Sequence, residues 1–107
     1  MKAITSYCEI SQNANDKSVK AGINEPCVYK KDILKYFKNH DADIAVACTA
    51  VDHVTGKNIG SESILSYNDG VYYWTNEEIY LFEKYDLKLN NDFIFHVLRK
   101  LSVSGEQ

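Results

Sequence analysis

The stretch Ser66–Leu87, SYNDGVYYWTNEEIYLFEKYDL, decides how the chain folds, because it holds seven aromatic and five acidic residues in 22 positions. Asn68-Asp69-Gly70 separates two strand-like runs, SILSY and VYYW, and Asp-Gly is a favoured hairpin dipeptide. The spacing predicts two strands joined by a tight turn. In VYYW alternate residues face opposite sides, so Val71 and Tyr73 share one face and Tyr72 and Trp74 the other. One face must be core. Large aromatics on both faces imply that the second is covered by a helix, another chain or a partner.

TNEE, Thr75–Glu78, follows as a capping box, in which Thr75 and Glu78 satisfy each other's free amides at a helix start. The helix is expected to run to about Tyr85. On it Ile79 and Phe82 should point inward, flanked by Leu81 and Tyr85. Glu77, Tyr80 and Glu83, spaced i, i+3 and i+6, should point roughly the other way.

Outward from this segment, Ile44, Val46 and Cys48 alternate with Ala45, Ala47 and Thr49. A strand over about 43–52 follows, apolar on both faces and therefore expected in the centre of the sheet. Gly56 in HVTGK supplies a turn. EPCVYKKDILKYFKNH, Glu25–His40, reads as a helix closed by Asn24 or Glu25, with Pro26 in the first turn. It carries Tyr29, Ile33, Tyr36 and Phe37 on one side and Lys31, Lys35 and Lys38 on the other. Asn91 or Asp92 caps a last helix whose wide apolar stripe is Phe93, Val97 and Leu101 with Ile94 and Leu98. His96 lies off that stripe, which predicts exposure to solvent.

Residues 1–24 form an uncertain element and a polar loop: AITSYCEI fits a strand or a short helix, and SQNANDKSVKAGINEP is loop-like. Residues 102–107 read as a frayed tail. The expected architecture is a single domain, 1–107, with an α-β-β-β-α-α core over 25–101. That is an α+β fold: an antiparallel three- to four-stranded meander with about three helices packed on it.

A chain of 107 residues, 45% hydrophobic, builds one core without staples. Its single proline and five glycines exclude collagen-like or disordered classes. No apolar run approaches the ~20 residues of a membrane span, and the N-terminus has no signal-peptide core, so a cytoplasmic protein without a membrane partner is expected. Cys8, Cys27 and Cys48 are scattered and form no C-x-x-C pair, which favours reduced packing residues over disulfides or zinc.

For chemistry the inventory is thin. His40, His53 and His96 are isolated, and no phosphate loop, dinucleotide fingerprint or nucleophile elbow occurs. The expectation is no enzyme: no catalytic residue, metal or cofactor site. A composite site of Asp52, His53 and a cysteine, or a pocket between sheet and helices using Cys48, His53 or Tyr72, is the alternative. A nucleic-acid-binding regulator using the Lys31-Lys35-Lys38 face is another, although an amphipathic helix shows lysines to water in any case.

The net charge of −3 conceals a polarity: residues 17–38 carry six lysines against two acids, and residues 41–86 nine acids against two lysines. Such an acidic half favours a basic protein partner over direct nucleic-acid binding. A tyrosine between carboxylates suits an interface anchor, with the charges steering a basic partner. The candidate partner-binding residues are Asp69, Glu77, Tyr80, Glu83 and Asp86.

The run YNDGVYYWTNEEIYLFEKYDLKLNNDFI, with PCVYKKDILKYF before it, resembles the small immunity proteins of bacterial contact-dependent growth inhibition and related polymorphic toxin systems. The resemblance covers about residues 25–100 and rests on size, acidity and texture. It implies a cytosolic inhibitor that binds a cognate toxin domain, often a nuclease, and covers its basic active site. It implies no catalytic residue.

Overall fold

In the computed structural model, which describes residues 1–105, chain order is β1 (Lys2–Ala3), α1 (Cys8–Ser11), a 3-10 turn (Val19–Ala21), α2 (Lys30–Lys38), β2 (Ile44–Val51), β3 (Asn58–Asn68), β4 (Tyr72–Thr75), α3 (Asn76–Tyr85) and α4 (Asn91–Gly105). The α+β class holds. The sheet, however, is mixed rather than an antiparallel meander. Its order is β1-β4-β3-β2, and β1 runs parallel to β4, with Lys2 beside Tyr72 and Ala3 beside Tyr73. A parallel bridge between Tyr7 and Lys17 adds a fourth pairing to the three between strands and takes the extended segments beyond the three to four expected. The helices are four rather than three, because CEIS closes a short turn of its own.

The illegible N-terminus is thus part of the core. Ile4 and Val19 are fully buried and Tyr7 nearly so. Asn90 N–H donates to the Ile4 carbonyl at 2.8 Å, and the Tyr7 hydroxyl donates to the Lys88 carbonyl at 2.6 Å. Gly22 makes this possible, since a Cβ there would meet the Tyr7 hydroxyl at 2.1 Å.

The hairpin forms as its sequence predicts. Asp69 Oδ1 accepts from the amides of Val71 and Tyr72 at 2.9 and 2.7 Å, and Gly70 takes φ 92°. Glu78 Oε1 accepts from the Thr75 amide at 3.1 Å, the box that starts α3. In α2 the buried residues are Ile33, Tyr36 and Phe37, but the helix begins at Lys30 rather than at Pro26. The helix α4 buries Phe93, Ile94 and Val97. It continues through Gly105, past the expected start of fraying at 102, and 106–107 lie outside the described residues.

Trp74 is the hub of the helix-covered face. It lies 5.3 Å from Phe37, 5.9 Å from Phe93 and stacks on Tyr67 at 6.2 Å, centroid to centroid. The opposite face is open. Register sets Ile44 beside Ser66 and Ser66 beside Thr75, and sets Asn68 beside Tyr73. Ile44, Val46 and Tyr73 therefore share that face, at 63%, 42% and 43% exposure.

The strand expected at the centre, β2, is an edge strand. The hairpin gives β3 to one side of β4, and β1 takes the other side, so β2 meets only β3. Six of its eight residues are exposed, and only Ala50 is buried.

Candidate functional site

The five residues expected to form one acidic face separate in the structure. Asp69 turns inward from the hairpin. Its side chain is 3% exposed, and Oδ2 accepts from the Tyr36 hydroxyl at 2.6 Å and meets His96 Nε2 at 2.8 Å. With the two turn amides it has four donors. Burial alone would raise its carboxyl; the hydrogen bonds from Tyr36, the amides and His96 outweigh that and hold it at about 2.

On α3 the inward face is Glu77, Glu78, Leu81 and Phe82, whereas Ile79 and Tyr80 are half-buried. Glu77 does not look outward, as the i, i+3, i+6 spacing suggested. The C-terminal end of β2 meets it instead. Glu77 Oε2 accepts from the Val51 amide at 2.8 Å, and Oε1 lies 3.1 Å from His53 Nε2. Burial would raise its carboxyl, but His53 and the amide outweigh it and lower it; in return Glu77 raises the His53 imidazole. Beside it Glu78 is fully buried and accepts from the Thr5 hydroxyl at 2.5 Å. Burial pushes Glu78 up to about 7, against the opposing bonds from Thr5 and the Thr75 amide.

Tyr80 lies where the solvent boundary was expected, but its hydroxyl is tied inward. It donates to Asp52 Oδ2 at 2.9 Å, as does the Tyr85 hydroxyl at 2.7 Å, while Asp52 Oδ1 caps the turn through the amides of Val54 and Thr55. Asp86 ends α3 in the left-handed region, φ 55°, and pairs with Lys30 at 2.7 Å. Of the five, only Glu83 is exposed with no partner on its carboxylate among the described residues.

Tyr80 and Glu83 do share a surface. They line a groove of about 410 Å³ between α2 and α3, floored by Phe37, Ile59, Tyr67 and Ile79 and rimmed by Lys38, His40 and Asn76. The register places Ala45 on this side of the sheet and Val46 on the open side; the groove itself takes Ile59 and Tyr67 from β3, the strand next to β2. Asp41 and Asp43 stand exposed at the head of β2.

Neither the composite of Asp52, His53 and a cysteine nor the pocket using Cys48, His53 or Tyr72 comes together. Cys48 is exposed on β2, His53 is engaged by Glu77, and the Tyr72 hydroxyl donates to Asp92 at 2.9 Å across the core. Among the described residues no group of three or more His, Cys, Asp or Glu is placed to hold a metal ion, and no helix is long and apolar enough to cross a membrane.

Sequence reasoning missed His96. It is half-buried rather than exposed, because Asp69 comes across from the hairpin to meet it. His96 and Asp69 line a second cleft with Tyr36, His40, Val71, Arg99 and Lys100. The available signal was slight: His96, Arg99 and Lys100 follow one another within two turns of α4, at the border of the stripe that Phe93 and Val97 begin. A third depression of about 410 Å³, between residues 25–29 and the start of α4, is apolar and flanked by exposed Val28 and Phe95.

Comparison with protein-family models, with curated proteins and with solved structures gives no match to this chain.

Proposed function

We propose that this chain is an immunity-type binding protein that neutralises a cognate toxin domain by seating it on the free edge of β2 and the adjoining Tyr80–Glu83 groove. The observation that carries this is β2 itself. Ile44–Val51 has no charge and no proline, yet it forms the outer edge of the sheet with six of eight residues exposed. Proteins normally blunt such edges with lysine, proline, bulges or a covering element, since unpaired amides and carbonyls invite another strand; β2 is irregular after Val46 and after Thr49, and its regular part is Ile44–Val46. A partner strand added to β2 would satisfy those groups, and its side chains would reach Ile44 and Val46 on one side and the aromatic-floored groove on the other.

Asp41, Asp43 and Glu83 around this surface suit a basic partner, such as the active-site surface of a nuclease. Inhibition would follow from occlusion and needs no chemistry from the inhibitor. In this proposal Tyr80 and Glu83 remain the candidate contacts of the five, since Asp86 is tied to Lys30 and Asp69 and Glu77 are bound within the fold.

The test is coexpression with any candidate toxin domain found encoded beside this chain, followed by calorimetry over a range of salt. Val46→Lys and Ala45→Lys should weaken binding about tenfold or more, and Glu83→Lys should flatten its salt dependence. Unchanged affinity in all three variants, each folded by circular dichroism, would remove this surface from the account.

A further inference from the structure

We propose that the cleft between α2, the hairpin turn and α4 binds a phosphate-bearing small ligand through Arg99, Lys100, His40 and His96. Arg99 is the chain's only arginine. Neither it nor Lys100 has an ion-pair or hydrogen-bond partner among the described residues, although the chain as a whole is acidic. Both line a cleft of about 720 Å³ with two imidazoles.

The one carboxylate there, Asp69, keeps its charge but is only 3% exposed, with its oxygens turned to partners in the protein. Asp69 is already held by Tyr36, His96 and the amides of Val71 and Tyr72. Its effect is directional: it fixes the His96 ring through Nε2 and leaves Nδ1 without a protein partner. His40 is fixed in the same way, with Nδ1 2.8 Å from the Tyr36 carbonyl and its ring 4.7 Å from that of Tyr36 and 5.4 Å from that of Trp74. Its Nε2 is likewise unengaged. Asp92, the nearest acid on the same helix, accepts from the Tyr72 hydroxyl and does not line the cleft.

Two cations without protein partners therefore line one cleft with two imidazoles whose N–H groups are already committed to Asp69 and the Tyr36 carbonyl, so that their free nitrogens can accept from a P–OH while Arg99 and Lys100 meet the charged oxygens. Arg supplies a planar fork matched to phosphate oxygens, and Lys a mobile point charge. Val71 and the Tyr36 ring offer an apolar wall for whatever carries the phosphate. This site is independent of the partner surface except for His40, which borders both.

The experiment is an NMR titration of the full chain with inorganic phosphate, phenyl phosphate and phenol, at ionic strength matched with chloride. Both phosphates should shift the His40, His96, Arg99 and Lys100 resonances in a saturable way, and phenol should not. The double variant Arg99→Gln/Lys100→Gln should bind phosphate about tenfold more weakly with its spectrum otherwise native. Shifts no larger than those from chloride would overturn the assignment. So would equal binding of phenol, or shifts confined to the α2 lysines. Neither Arg99 nor Lys100 touches β2 or the Tyr80–Glu83 groove, so loss of phosphate binding with toxin binding intact separates the two assignments.

Discussion

Two regions exchange the places that composition would give them. The strand IAVACTAV is apolar and lies outside, whereas Asp52, Asp69, Glu77 and Glu78 are charged residues of the most acidic part of the chain and lie inside. The difference teaches what burial requires. Carboxylates tolerate the interior when donors converge on them; Asp52 and Asp69 each have four. An apolar strand enters the interior only if other strands flank it on both sides, and the arrival of β1 beside β4 leaves none for β2.

The most damaging way to break the buried side of this comparison is Asp69→Ala. It would strand the Tyr36 hydroxyl, His96 and two turn amides at once, and should cost about 3 kcal/mol or more by urea unfolding. A loss below about 1 kcal/mol would mean that water replaces the carboxylate freely.

Next in size is the pH response of the buried pair of acids. Glu78 takes its proton near 4.5 when unfolded and about 7 when folded, so the unfolded chain loses that proton first. Its contribution therefore makes stability fall as pH rises from about 4.5 to about 7, by about 3 kcal/mol at most. His53, raised by Glu77, extends the fall above 6.5, because its pairing is lost as the imidazole deprotonates. Asp69 acts in the opposite sense at acid pH: its contribution is complete above 3.8 and is lost as pH falls through about 2. Stability measured by urea midpoint should thus be greater at pH 5 than at pH 8, and Glu78→Gln should flatten that slope. An unchanged slope would show that Glu78 is ionised in the fold.

Smaller again is the Lys30–Asp86 pair, whose partners are about one-third exposed. Lys30→Met should cost about 0.5 kcal/mol, screened by salt. On the outer side of the comparison, Val46→Lys should change stability by no more than about 0.5 kcal/mol while impairing partner binding. A large loss of stability there would mean that β2 packs against something in the folded chain itself.

Local patterns were legible where their causes are local. The Asn68-Asp69-Gly70 turn, the Thr75–Glu78 box, the α2 triad Ile33, Tyr36 and Phe37, and the α4 stripe depend on spacing and on positive φ at one glycine. The orientation of α3 was not legible. Periodicity assigned Glu77 to water because it cannot register that the Val51 amide and His53 arrive from 26 and 24 positions away in the chain. The same blindness hid His96, whose partner lies on the hairpin, and the N-terminal segment, whose Ile4 and Tyr7 have meaning only against Asn90 and Lys88.

By itself, then, the sequence determined the α+β class, the hairpin, and which faces of α2 and α4 are apolar, since these follow from backbone geometry and the period of hydrophobic residues. Only the tertiary structure decided that the acids of α3 and the turn form an internal frame, that β2 stands at the edge, and that Tyr80 and Glu83 line one groove. Those outcomes depend on which distant donors reach each carboxylate and which strand takes the last free side of β4, and no local spacing encodes either.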